Sequence, residues 1–326
     1  MAENNNTFLS VRDLKVEYSS GGKTINAVNG VSFDLKKGVS LGLVGETGAG
    51  KTTIAKAILQ ILPDHATKFV GGEITFEDTS IIGTPDSELQ KIRGRDISMV
   101  FQDPMTALNP ILTVGDQISE GIHLHQNLSK AEARQEAIRM LETVGISGDR
   151  ADEYPHQFSG GMKQRVVIAI ALACAPRLLI ADEPTTALDV TIQAQVLDLI
   201  RNLKEAQGTA MILITHDLGV VAETCDEVAV IYAGEIVERG TLQEIYDNPQ
   251  HPYTVGLFGA IPDLNKKVHR LSPIVGLPPD PTDLPQGCYF APRCPHATEE
   301  CRAAHPSLHH HSGTHYVLCH KFGQEG

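Results

Sequence analysis

Eight consecutive residues of the sequence form a glycine-rich loop of the type that binds phosphate groups. They fit the pattern G-x-x-x-x-G-K-[ST], in which glycines let backbone N–H groups turn inward around a polyphosphate at the positive end of the next helix. The lysine is expected to reach the β and γ phosphates, and the threonine hydroxyl to bind Mg²⁺. The loop comprises Gly45, Glu46, Thr47, Gly48, Ala49, Gly50, Lys51 and Thr52, and Thr53 is a further candidate contact.

A short apolar run that ends in two acids is the second candidate for chemistry. Leu178 to Ala181 is followed by Asp182 and Glu183. In a P-loop protein the aspartate at the end of the strand approaches Mg²⁺, and a glutamate next to it can polarise an attacking water. Without the P-loop, the same run would be interpreted as a core strand that ends in a solvated loop. Its occurrence together with the loop favours the catalytic interpretation.

A third motif opens a predicted helix. In Phe158-Ser159-Gly160-Gly161-Met162 the serine is a natural N-cap, and the two glycines permit a ligand to approach closely. Ordinary helix capping is the alternative interpretation. The motif stands about 20 residues before the acidic run, and this order and distance favour a ligand site.

In this combination and order, the motifs resemble the nucleotide-binding subunit of ATP-binding-cassette (ABC) transporters, over about residues 8–245. The resemblance implies that the cofactors are ATP and Mg²⁺, and that Thr52, Gln102 and Asp182 contact the Mg²⁺. It also implies that Glu183 is the catalytic glutamate. Gln102 matches the glutamine that touches Mg²⁺ or water and relays to the membrane domains.

The resemblance extends to three further positions. His216, in Ile214-Thr215-His216-Asp217, matches the switch histidine that contacts the γ phosphate in catalysis. Asp189, which follows Ala187 and Leu188, matches the D-loop. Tyr18 stands where the family places an aromatic residue stacked on adenine, and a packed tyrosine at a strand end is the alternative.

The helix-opening motif resembles the family signature LSGGQ. Ser159, Gly160 and Gly161 match it, whereas Phe158 replaces Leu and Met162 replaces Gln. The signature acts in trans, so the resemblance implies that two subunits sandwich two nucleotides. Each site would then use the P-loop of one chain and the signature of the other.

Four stretches of the sequence resemble the oligopeptide and dipeptide permease ATPases, namely residues 103–110, 113–117, 158–165 and 184–195. Such permeases pair two different ATPases. The forms FSGGM and ADEPTTALDV in this sequence resemble the first of the two. The resemblance implies uptake of di- or oligopeptides, or of related solutes such as nickel chelates. The implied partners are a second homologous ATPase subunit in a heterodimer, two transmembrane permease subunits and an extracytoplasmic solute-binding protein.

A cassette protein of DNA repair or ribosomes is the alternative from another class. It predicts two cassettes in tandem or a long coiled-coil insertion, and the sequence has neither. The region after Gln102 instead resembles a surface for the coupling helices of a transmembrane subunit. We therefore expect a transport ATPase.

Four cysteines are crowded near the end of the sequence, at Cys288, Cys294, Cys301 and Cys319. In a reducing cytoplasm, clustered thiols indicate a metal rather than disulfides. Their C-x5-C-x6-C-x17-C spacing is wider than most zinc sites use, and four thiolates also suit a [4Fe–4S] cluster. The permease resemblance implies the cluster, with Zn²⁺ or no metal as alternatives. The run His309 to His311 is expected to be solvated.

The order of the predicted strands and helices that position these residues indicates an α/β fold. Apolar strands alternate with helices, which favours a parallel-sheet core. The resemblance implies a P-loop NTPase (RecA-like) core with an antiparallel β subdomain and a helical subdomain inserted at about residues 104–165. We expect a nucleotide-binding domain over residues 1–250 and a Pro/Cys-rich C-terminal extension over residues 251–326, because most prolines and histidines lie beyond Asn248.

Composition excludes some classes of function. The formal net charge is −13, so a basic surface for nucleic acid is not indicated. No apolar run approaches the roughly 20 residues of a membrane span, and the first residues resemble no signal peptide. We expect the chain at the cytoplasmic face of the cell membrane, held there by its partners.

Overall fold

The computed structural model describes residues 7–186, 189–259 and 274–322. The strands, in chain order, are β1 Thr7–Ser20, β2 Lys23–Lys36, β3 Ser40–Val44, β4 Thr67–Phe76, β5 Thr79–Ser80, β6 Ile97–Val100, β7 Leu178–Asp182, β8 Ala210–Thr215, β9 Glu227–Tyr232, β10 Glu235–Thr241, β11 Leu308–Ser312 and β12 His315–Leu318.

Helices occupy much of the remaining described chain. The α-helices are α1 Lys51–Leu59, α2 Asp86–Ile92, α3 Pro104–Ala107, α4 Val114–His125, α5 Lys130–Thr143, α6 Gly160–Leu172, α7 Val190–Gln207, α8 Leu218–Thr224, α9 Leu242–Asp247, α10 Pro252–Gly259 and α11 Glu299–Ala303. Short 3₁₀ helices span Gly148–Asp152, Pro155–Gln157 and His320–Phe322.

Contacts between residues divide the chain into two compact units. The P-loop unit comprises the described parts of residues 9–34, 41–80 and 215–326. The acidic-strand unit comprises the described parts of residues 1–8, 35–40 and 81–214. The predicted phosphate loop lies in the first unit, and the predicted acidic pair lies in the second.

Two groups of strands form the P-loop unit. The first is a sheet of order β2-β1-β4-β5, and its β1–β2 hairpin turns at Gly21 and Gly22. The second has the order β11-β12-β10-β9-β3, in which β3 runs parallel to β9 and β9 pairs antiparallel with β10. The β9–β10 turn uses Ala233 and Gly234, both with positive φ.

Three parallel strands, in the order β8-β7-β6, form the centre of the acidic-strand unit. Every residue of β7 is buried, which is typical of a parallel strand covered on both faces. The stretch after β6 is mostly helical, as predicted. Its helix α5 begins with a capping box, in which Ser129 accepts from the Glu132 backbone and Glu132 accepts from the Ser129 backbone.

Helix α1 ends at Leu59, because Gln60 adopts a left-handed conformation with φ of 50°. The C-terminal extension contributes to the second strand group. Its β12 pairs antiparallel with β10 and also with β11, so the extension adds a hairpin to this group.

None of the helices in the described ranges is both long and apolar enough to span a membrane.

Candidate functional site

The phosphate loop lies between a fully buried strand and a helix, the context that the motif requires. Its glycines are needed for close approach. A Cβ at Gly45 would collide with the carbonyl oxygen of Ile231, and one at Gly50 would collide with that of Ala27. Gly48 has φ of 82° and faces open space, so its requirement is conformational.

Lys51 lies in the cradle that the loop forms. Its Nζ donates to the carbonyl oxygens of Gly45 at 2.8 Å and Glu46 at 3.0 Å, and only 6% of the residue is exposed. Helix α1 has no acidic residue in its first turn, so positive charge and N–H groups dominate this end of the helix. The loop is therefore arranged to receive a polyanion.

Glu46 connects the loop to the C-terminal extension. Its carboxylate accepts from both terminal nitrogens of Arg293, at 2.7 and 2.9 Å, and its backbone N–H donates to Tyr253 Oη at 2.9 Å. Burial raises the pKa of Tyr253 above its ordinary value. The hydrogen bonds to Glu46 raise the pKa of Arg293, which keeps the guanidinium charged. Sequence reasoning missed Tyr253 and Arg293, because they stand more than 200 residues from the loop.

Tyr18 of β1 lies close to the start of α1, where Thr52 and Thr53 are found. The Tyr18 hydroxyl donates to Thr53 Oγ1 at 3.4 Å, and Tyr18 is half-buried near the end of β1. Thr52 is in the first turn of α1. The P-loop unit thus brings Tyr18 next to Thr53, one residue after the phosphate loop.

Glu183 lies directly after the buried Asp182 at the end of β7. Asp182 is 2% exposed, and Glu183 has a left-handed φ of 45°, which is uncommon for a residue with a side chain. Glu183 Oε2 accepts from Gln102 Nε2 at 2.8 Å and from Thr186 Oγ1 at 2.8 Å. The predicted Gln102 and Glu183 are therefore in contact within the acidic-strand unit. Thr186 is a neighbour that sequence reasoning did not name.

The signature residues begin α6. Ser159 caps the helix by accepting from the Met162 backbone N–H at 3.4 Å, which confirms the predicted N-cap. A Cβ on Gly161 would approach Ile192 Cγ2 to 2.8 Å, so this glycine permits close packing against α7. Gly160 has open space around its Cα. Arg150 donates to Met162 Sδ at 3.4 Å.

Two further predicted residues lie at the ends of other elements. Asp189 is the N-cap of α7 and accepts from the Ile192 backbone at 3.0 Å. Ala187 and Leu188, the rest of the predicted D-loop, lie outside the described residues. His216 is exposed directly after β8, in the P-loop unit.

The four late cysteines line one cavity of about 230 Å³ in the P-loop unit, together with His251, His296 and His320. Burial raises the pKa of Cys288 to about 11 and also raises the pKa values of Cys294 and Cys319. In residues 7–186, 189–259 and 274–322, no group of three or more His, Cys, Asp or Glu side chains is arranged to hold a metal ion. The metal at this position therefore stays a prediction.

Comparisons with known proteins agree with the resemblance found in the motifs. Residues 28–186 match the family model for ABC transporters, and residues 237–301 match the model for the C-terminal region of oligopeptide/dipeptide transporters. The dipeptide transport ATP-binding protein DppD of Bacillus subtilis is 51% identical over 95% of this chain and 93% of its own length. The oligopeptide transport ATP-binding protein AppD of the same organism is 47% identical over 98% of both chains.

A solved structure supports the fold. The ATP-binding cassette MJ0796, in a dimeric post-hydrolysis state bound to ADP and Pi, superposes with a TM-score of 0.65 at 29% identity. The match covers 72% of this chain and 98% of that one. The predicted P-loop NTPase fold of the cassette type is therefore confirmed.

Proposed function

The chain belongs to the ATP-binding subunits of the oligopeptide/dipeptide ABC transporters, and from this premise we propose that it hydrolyses ATP to power the uptake of short peptides. The observation that carries the hydrolytic step is the placement of Glu183. Its carboxylate follows the buried Asp182 and is oriented by Gln102 and Thr186. A carboxylate fixed in this way can orient a water molecule for attack.

The P-loop residues bind the nucleotide in this proposal. Backbone N–H groups of residues 45–52 and the ammonium of Lys51 hold the phosphates, and Tyr18 receives the adenine. Thr52, Gln102 and Asp182 offer the oxygen ligands that Mg²⁺ prefers, and the buried carboxylate of Asp182 fits a cation. Mg²⁺, when bound, neutralises charge on the phosphate oxygens.

Glu183 acts as the water-orienting base, and His216 contacts the γ phosphate. Ser159, Gly160, Gly161 and Met162 serve the nucleotide of a facing cassette, and Asp189 belongs to the same contact. These roles come from the matched motifs. Residues 1–250 form the nucleotide-binding domain, with the helical subdomain at about 104–165, and residues 251–326 form the extension.

Exposed apolar side chains support a membrane partner. Several of them follow β6, where Phe101 is 40% exposed, Met105 63% and Ile111 79%. We propose that this surface docks transmembrane permease subunits, which places the chain at the cytoplasmic face of the membrane. A solute-binding protein outside the membrane would deliver the peptide.

A second, different cassette completes the transporter in this proposal, because a working site needs a P-loop and a signature from opposite chains. The purified chain alone should be largely monomeric and a poor ATPase. Size-exclusion chromatography with light scattering and a turnover assay test this. A stable homodimer that is fully active without a partner would contradict the heterodimer.

Transport itself is tested in proteoliposomes that contain the permease subunits, the second cassette, the solute-binding protein and this chain. A labelled di- or oligopeptide should accumulate only with ATP and with wild-type chain, and the Lys51→Ala variant is the matched control. Selective accumulation of a nickel chelate or a sugar, with no peptide uptake, would reassign the cargo and leave the ATPase role in place.

We further propose that Cys288, Cys294, Cys301 and Cys319 hold a [4Fe–4S] cluster. The four thiols line the wall of one cavity. In a cubane each thiolate binds a different iron, whereas in a zinc site all four thiolates bind the same ion. Anaerobically purified protein should be brown and contain about four irons and four sulfides per chain. Cys294→Ser should bleach it. One zinc and no iron, from an iron-replete culture, would favour Zn²⁺ instead.

A further inference from the structure

The phosphate loop contains an acid whose negative charge is compensated by an arginine of the C-terminal extension. Glu46, the second residue of the loop, forms a bidentate ion pair with Arg293, at 2.7 and 2.9 Å. The side chain of Arg293 is 4% exposed and that of Glu46 is 30% exposed. Bidentate arginine–carboxylate pairs are among the stronger and more specific charged contacts in proteins.

Arg293 is itself held in place by aromatic side chains. Its guanidinium lies 5.7 Å from the ring centroid of Tyr232 and donates to the Tyr232 hydroxyl at 3.3 Å. Tyr232 packs against Tyr253 and Phe290, with centroid distances of 4.6 and 5.2 Å. These contacts hold the guanidinium in a fixed position beside the carboxylate of Glu46.

The C-terminal extension contacts the loop and its surroundings at two more points. The hydroxyl of Tyr253 accepts from the backbone N–H of Glu46 at 2.9 Å. The carbonyl oxygen of Pro281 accepts from the backbone and the side chain of Asn26, at 2.9 and 3.0 Å. A cavity of about 190 Å³ lies between the loop residues 46–49 and the prolines at 278, 279 and 281.

A carboxylate in a polyphosphate-binding loop opposes the binding of the ligand. The loop attracts phosphate through N–H groups and Lys51, and an uncompensated negative charge on Glu46 would repel the phosphates at short range. We propose that Arg293 is a positioning residue for nucleotide binding, which neutralises Glu46 and turns its side chain away from the phosphate cradle. This inference rests on the proposed function, because it assumes that the loop binds ATP.

The test measures ATP affinity of the purified full-length chain by isothermal titration calorimetry. Arg293→Ala should weaken binding about tenfold, which corresponds to about 1.4 kcal/mol. The double variant Glu46→Gln/Arg293→Ala should recover most of this loss, because the repelling charge is gone. Arg302→Ala, which removes an exposed arginine from the same extension, is the matched control and should bind as wild type.

Each outcome has a defined meaning. Equal affinity of wild type and Arg293→Ala overturns the inference. An equal loss in the single and double variants assigns Arg293 to packing and also overturns it. If Arg293→Ala does not fold, as judged by circular dichroism, Glu46→Gln alone decides. It should bind ATP at least as tightly as wild type, and weaker binding overturns the inference. A wild-type chain that binds no ATP contradicts the proposed function instead.

Discussion

The side-chain amide of Gln102 donates a hydrogen bond of 2.8 Å to the carboxylate of Glu183, across 81 residues of sequence. The contact joins the residue expected to relay to the membrane domains with the residue expected to orient water. It also uses one oxygen of Glu183, Oε2, which accepts from Thr186 as well. Under the proposed function, Gln102 is one of the two donors that hold the water-orienting carboxylate of Glu183.

The first prediction concerns that carboxylate. Glu183→Gln should lower ATP hydrolysis in the assembled transporter by about 10²- to 10⁴-fold, because an amide cannot act as a base. ATP binding should be retained, because the phosphate-binding groups are untouched. Phosphate release and equilibrium ATP binding measure the two effects. Near wild-type turnover would show that another group orients the water.

The second prediction separates binding from hydrolysis. Lys51→Ala removes a buried cation that contacts the carbonyl oxygens of Gly45 and Glu46. ATP affinity should fall about tenfold or more, because charge-assisted contacts to phosphate contribute about 1.5–3 kcal/mol. Exchange of an exposed lysine outside the loop, Lys130→Ala, is the control for this measurement. Unchanged affinity in Lys51→Ala would place the phosphates elsewhere.

The third prediction uses the loop glycines. Gly48→Ala and Gly50→Ala both force a side chain into positive φ, at a cost of about 1–2 kcal/mol. Gly50→Ala should lower the melting temperature further, because its Cβ would also collide with the carbonyl oxygen of Ala27, whereas Gly48 faces open space. Differential scanning fluorimetry without nucleotide measures the difference. Equal melting temperatures would mean that the backbone relaxes around Gly50.

The fourth prediction concerns pH. Burial lowers the pKa of His251 from its ordinary 6.5 to about 3, and its Nδ1 accepts from the Tyr253 backbone N–H at 3.1 Å. The unfolded chain therefore takes up a proton that the folded chain does not. The free energy of unfolding should fall as the pH drops below 6.5 towards 3, by up to about 1.4 kcal/mol per pH unit from this group.

His251→Asn tests this assignment. Asparagine keeps an acceptor at the position before α10 and has no titrating group in this range. Urea unfolding at about pH 7 and about pH 5 should therefore show a shallower pH dependence in the variant than in wild type. The comparison cancels the contributions of other groups. The same slope in both proteins would assign the acid sensitivity to other residues.

Local patterns were sufficient for the parts of the fold that are built from neighbouring residues. The loop between β3 and α1, the Ser159 cap of α6 and the capping box of Ser129 and Glu132 each follow from residues within a few positions of one another. The buried run of β7 was recognisable because parallel strands are apolar on both faces.

Contacts between distant segments were not predictable from one sequence. Nothing in the spacing of Glu46 and Arg293 indicates an ion pair across 247 residues. The hairpin of β11 and β12 was missed because its histidines and short length do not show the apolar alternation of a half-buried strand. Its stability comes from pairing with β10, which is a property of the folded chain.

The pairing of β12 with β10 has a consequence for solubility during synthesis and storage. A strand with open backbone groups on one side can recruit the strand of another molecule and begin aggregation. Here Glu238 and Arg239 of β10 are paired with Val317 and Tyr316, and in the described chain the outermost strand of this group is β11. Its His309, His310 and His311 present polar rings rather than apolar side chains. A chain truncated before residue 308 would expose β10, and we expect it to self-associate.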